Sequence, residues 1–140
     1  MDNSIHFTIP GRPVPKKNNP QAYCIHGRRG WARGMPMPKK IIIPSKAYLE
    51  YEKLAVASLR NQFWGHQMLT TPLLVVSLYY LPDKRWWPDL YGLLQATGDI
   101  LQKAGIIEND SLVKRVGESE IVGVDKENPR CEITITPWLG

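Results

Sequence analysis

The chain lacks a hydrophobic run long enough to cross a membrane. Its longest strongly apolar stretch, Pro72 to Leu81, is about half of what a spanning helix needs. Cysteine is nearly missing: Cys24 and Cys131 are the only two and lie far apart. The start, Met1-Asp2-Asn3-Ser4, reaches a charged segment by Lys16 without the basic-then-apolar pattern of a secretion signal. Free thiols and a cytoplasmic location are therefore expected, rather than a disulfide-stapled secreted domain. No internal repeat or low-complexity tract interrupts the 140 residues, which are 43% hydrophobic and 22% charged. These values suit one soluble domain over 1–140 with an ordinary core.

Acid is scarce at one end. Within the first forty residues Asp2 alone faces Arg12, Lys16, Lys17, Arg28, Arg29, Arg33, Lys39 and Lys40, so that segment carries +7. The remainder carries −2, against a total of +5. Such a bias suits a polyanion, most often a nucleic acid. It also suits a solvated loop that keeps the protein soluble. Residues 11–40 are rich in Gly, Pro, Asn and Arg and show no periodicity, which reads as a long basic loop. Tyr23 and Trp31 lie among its cations, and rings beside cations suit single-stranded or branched nucleic acid.

The rest of the chain is periodic. Ile5 to Ile9 alternates and reads as a strand, and Ile41-Ile42-Ile43 as a second. Ser45 is a natural N-cap for a helix running to about Gln62, with Ala47, Tyr51, Leu54, Ala55 and Leu59 at helical spacing. Leu73 to Leu81 is almost continuously apolar and reads as a central strand covered on both faces. Glu120 to Val124 and Cys131 to Thr136 read as a closing hairpin. The expected fold is a two-layer α+β domain, a mixed sheet with two helices in the approximate order β-β-α-β-α-β-β.

The chemistry concentrates between Trp87 and Val113. Pro88 and Gly105 bracket a helix. Leu90, Leu93, Leu94, Thr97, Ile100, Leu101 and Ala104 fall in one arc at about 100° per residue, and that arc faces the core. Asp89, Gly92, Ala96, Asp99 and Lys103 fall on the other side. Gly92 and Gly98 each cost about 1 kcal/mol against Ala in a helix, which suggests that something approaches closely. Asp110 sits in a polar bend after the helix. Two carboxylates that converge suit a hard, oxygen-seeking ion such as Mg²⁺. Each acid also has an ordinary role, Asp89 at a helix start and Asp110 in a turn. Asp99 lies about 15 Å along the helix from Asp89, so it is expected to orient structure rather than share an ion. Trp86 and Trp87 beside Lys84 and Arg85 form either a stacking patch or a seal on the core edge. Cys24-Ile25-His26 lacks the second ligand pair of a zinc site.

The stretch from Pro88 to Val113 resembles the signature of the RusA-type Holliday junction resolvases. That family typically reads Asp, any residue, Asp, Asn, a Lys three further on, then Asp-x-Leu, a Gly and a closing Asp-Asp. Asp89, Asp99-Ile100-Leu101, Gly105 and Asp110 match in spacing without a gap. The opening Ile9-Pro10-Gly11-Arg12-Pro13-Val14-Pro15-Lys16-Lys17 and the Pro44-Ser45-Lys46-Ala47-Tyr48 helix entry resemble the family more loosely. The resemblance implies a homodimer that cuts branched DNA at a four-way junction, using Mg²⁺ (Mn²⁺ as an alternative) held by catalytic Asp89 and Asp110. Lys16, Lys17, Arg28 and Arg29 would hold phosphates.

The departures fall on catalytic positions. Tyr91 stands at the family's second Asp, Gly92 at its Asn, Gln95 at its Lys, and Asn109 at the first acid of the closing pair. A site stripped to two acids is less able to activate a nucleophile and stabilise the leaving oxygen together. Tyr91 and Gln95 therefore favour a rival of the same fold that binds branched DNA without cutting it. A third reading is an interaction protein whose basic loop only aids solubility.

Overall fold

The computed structural model describes residues 3–16, 18–22 and 40–140, with backbone alone at 18–22 and 40–44. Two helices lie on a five-stranded mixed sheet, the expected two-layer α+β arrangement. The strands are β1 (Ile5–Pro10), β4 (Leu73–Leu81), β5 (Val113–Arg115), β6 (Glu120–Val124) and β7 (Arg130–Pro137). A separate antiparallel pair, β2 (Asn18–Ala22) and β3 (Lys40–Pro44), runs from Asn18↔Pro44 to Ala22↔Lys40. Residues 11–40 are thus not wholly irregular, because β2 falls inside the segment read as a loop.

Helix α1 (Lys46–Gln62) begins where Ser45 Oγ accepts the Tyr48 N–H at 3.2 Å. It buries Tyr48, Ala55 and Leu59, while Leu54 is 72% exposed and Ala47 is also outside the core. Helix α2 (Leu90–Lys103) ends before Gly105, whose φ of 77° is the left-handed turn that favours glycine. Its arc packs as expected: Leu93, Thr97, Ile100 and Leu101 are buried and meet Phe7, Leu73, Val75, Tyr79, Ile133 and Ile135 in one cluster. Tyr79 Oη and Thr97 Oγ1 share a buried hydrogen bond of 2.7 Å, and Thr97 Oγ1 also donates to Leu93 O at 3.0 Å. Burial satisfies rather than strands these hydroxyls.

Two readings of the sheet need correction. Strand β4 is central in its pairing but covered fully on one face only. Leu73, Val75, Ser77, Tyr79 and Leu81 are buried, whereas Leu74, Val76, Leu78 and Tyr80 are half-buried on the other face. Strands β6 and β7 do not form a hairpin, because β4 lies between them. Strand β7 pairs antiparallel with one edge of β4, and β6 pairs parallel with the other through Leu78 to Leu81. Parallel pairing needs a long crossover between strands, and α2 is the helix of that crossover.

The connection from β6 to β7 must therefore pass over the end of β4. Asp125 N–H donates to Leu81 O at 2.8 Å there. Arg130 clamps the crossing: its guanidinium donates to Asp125 Oδ2 at 2.8 Å and Glu132 Oε2 at 2.9 Å, and lies 3.8 Å over the Tyr80 ring. Cys131 is a buried free thiol, and burial pushes its pKa up to about 12. Cys24 lies outside the described residues.

Candidate nucleic-acid interface

Asp89 precedes the first turn of α2 in an extended conformation (φ −77°, ψ 149°), and its carboxylate accepts the Gly92 N–H at 3.3 Å. It is the N-cap, satisfying one of the donors that a helix start leaves open. Gly92 is where another part of the chain closes in. A Cβ built there would lie 2.9 Å from Asp89 Oδ1 and 3.0 Å from Pro15 Cβ. Lys16 N–H donates to Gly92 O at 3.2 Å, and Lys16 Nζ reaches Asp99 Oδ2 at 2.5 Å. The close neighbour that Gly92 implies is thus the protein's own Pro15-Lys16 segment.

The face read as free is covered by the chain itself. Ala96 is 1% exposed, contrary to the expectation that it faces outward. Lys103 Nζ pairs with Glu52 of α1 at 2.9 Å, and Arg60 of α1 donates to Lys103 O at 3.1 Å. Among the cations expected to hold phosphate, Lys16 is engaged with Asp99, each side chain only 22% exposed. Lys17, Arg28 and Arg29 lie outside the described residues, as do Tyr23, Cys24, His26 and Trp31.

Asp110 opens a 3-10 turn (Asp110–Leu112) whose cap is Asn109; the Asn109 Oδ1 accepts the Ser111 N–H at 2.8 Å. Asp110 N–H donates to Gln102 Oε1 at 3.0 Å. Its Cβ lies 3.7 Å from where a Gly98 Cβ would stand, an ordinary contact, so nothing near Gly98 requires glycine. Asp110 and Gln95 line a shallow cavity of about 140 Å³ with Gly98, Thr97 and Ser77.

The two acids singled out by spacing lie against α2 at different points. Asp110 Cβ sits beside Gly98 and Asp89 Oδ1 beside Gly92, six residues and about 9 Å of axial rise apart along α2. Asp89 turns its carboxylate onto its own helix start. Among the described residues no group of three or more His, Cys, Asp or Glu is placed to hold a metal ion.

What the start of α2 does display is aromatic. Tyr91 is 82% exposed and Trp86 87% exposed. The Arg85 side chain is 82% exposed. Trp87 is fixed by its indole N–H, which donates to Asp83 O at 2.7 Å, and Asp83 Oδ1 accepts the Arg85 N–H at 2.8 Å. Trp86 does not seal the core edge. Its φ of 56° is left-handed, unusual for a bulky residue, and swings it away from the body of the domain.

Neither a scan of protein-family models nor a search of curated proteins matches this chain.

The sequence identified the patch as one of two options for Trp86 and Trp87. It did not identify the Pro13-to-Lys16 strap over α2. The available signal was Gly92, whose cost in a helix called for a close neighbour without naming it. No helix of the described residues is long and apolar enough to cross a membrane.

Proposed function

We propose that this chain binds branched DNA through the face around the start of α2, in the manner of the resolvases its α2 motif resembles, and holds the DNA rather than cutting it. The observation that carries this reading is the exposed set Arg85, Trp86 and Tyr91, with Tyr91 at the position of a family acid. Rings stack on unpaired bases in any sequence, worth about 1–3 kcal/mol per base. Arg85, Arg12 and the basic Lys17, Arg28 and Arg29 supply phosphate contacts. Pairing of two copies about a twofold axis would match the twofold relation of junction strands. Asp89 has a role as helix cap and Lys16 one as the partner of Asp99, neither of which requires cleavage.

The cutting alternative, Mg²⁺-dependent resolution of junctions, draws support from Asp110. This exposed acid shares its cavity with Gln95, the position of the family lysine. The test is junction binding over a range of salt, with wild type and a Lys17→Gln, Arg28→Gln, Arg29→Gln variant. The wild type should bind a four-way junction more tightly than duplex. The triple variant should bind more weakly, with the slope of log K against log salt flattened by about 2 to 3. An unchanged slope and affinity would reject the basic segment as the DNA contact. Strand cleavage in Mg²⁺ or Mn²⁺, abolished by Asp110→Asn, would replace the holding reading with the cutting one.

A further inference from the structure

Beside Trp86 lies an open cleft of about 350 Å³ between the N-terminal strap and the start of α1. Arg12, Pro13 and Pro15 of the strap line it together with Ser45, Trp86 and Pro88. The volume falls at the low end of small-molecule clefts, about 300–1,000 Å³. The proline rings make walls that lose little entropy when a flat ligand enters. Arg12 is an exposed cation at the rim.

The backbone adds an independent sign. Trp86 is the one non-glycine residue with positive φ among the described residues. A bulky side chain held in the left-handed region stores strain, and such strain gathers at sites where a group must be presented. Here it presents an indole at the cleft mouth, 87% exposed and with nothing to gain in packing.

We infer that this cleft receives a single unstacked nucleobase at the branch point of bound DNA, with Trp86 stacking on it and Arg12 holding the adjoining phosphate. The inference rests on the branched-DNA reading and names the part of the substrate that the site takes. The ligand class follows from the parts: a planar π-face for the indole, an anion for the guanidinium, and apolar edges for the prolines. Duplex DNA offers no free base, so the cleft would contribute to discrimination between branched and paired substrates.

The test uses the full-length protein and a four-way junction carrying 2-aminopurine at the branch point, with a fully paired duplex of the same strands as control. Binding of wild type should change the fluorescence of the junction probe and leave the duplex probe unchanged. Trp86→Ala should weaken junction binding about tenfold and remove the fluorescence change, whereas Trp86→Phe should keep most of both. Trp86→Gly relieves the backbone strain, so it should melt no lower than wild type while losing junction affinity like Trp86→Ala. Junction binding by wild type with no fluorescence change, and with Trp86→Ala equal to wild type, would overturn the cleft and leave DNA binding standing. Failure of wild type to bind the junction at all would overturn the DNA reading and the cleft with it.

Discussion

Helix α2 contains two glycines that should respond to the same substitution in opposite directions. Gly→Ala in a helix gains up to about 1 kcal/mol from backbone entropy alone. At Gly98 the new methyl would meet Asp110 Cβ at 3.7 Å, an ordinary contact. Gly98→Ala should keep that gain and raise stability by about 1 kcal/mol, or about 3 °C in Tm for a domain of this size. At Gly92 the methyl would stand 2.9 Å from Asp89 Oδ1 and 3.0 Å from Pro15 Cβ. The carboxylate must shift at its capping position, which weakens a cap worth about 1 kcal/mol. Pro15 must also shift, disturbing the Lys16 bond to Gly92 O and the Lys16–Asp99 pair, and overpacking of this kind costs about 1–3 kcal/mol. Gly92→Ala should therefore be destabilising by about 1–3 kcal/mol despite its better helix propensity. Urea unfolding of the two variants reads the difference directly. Equal shifts of the same sign would show that the strap does not press on α2 as described.

Two further outcomes follow from the same contacts. Asp89→Ala should lower stability by about 1 kcal/mol through loss of the cap, whereas Asp89→Asn, an equally good cap, should stay within a few tenths; equal losses in thermal melts would contradict the capping role. Arg130, hydrogen-bonded to Asp125, holds that carboxyl below its ordinary value of 3.8. The native state then binds this proton more weakly than the unfolded chain, so the contribution is complete above the ordinary value and is lost as pH falls through the lowered one. Urea midpoints followed down to about pH 3 should fall less steeply in Arg130→Met, and parallel acid limbs would exclude the linkage.

Sequence alone was sufficient wherever the deciding interaction was local. The Ser45 cap, the core arc of α2 and the stop at Gly105 each depend on residues within a turn or two. Periodicity and capping chemistry therefore located both helices. Alternation found β1, and apolar content found β4. The errors begin where partners are distant. Strands β6 and β7 are neighbours in sequence, and a hairpin is the cheapest local solution. Yet β4, apolar enough to take a partner on each edge, separates them once α2 carries the chain back alongside it. Ala96 was assigned to an open face because helical spacing ranks faces by apolarity. It cannot show that distant segments lie along the weaker one, Lys16 on Asp99 and Glu52 of α1 on Lys103. The two acids illustrate the same limit. Residue spacing sets how far apart Asp89 and Gly98 stand along α2. The tertiary path of the turn after Gly105 decides that Asp110 meets the helix beside Gly98 instead of at its start. That path is fixed by burial of Ile106 and Ile107 and by the bridge from Leu69 to Ile107, contacts between segments whose closeness no local pattern encodes.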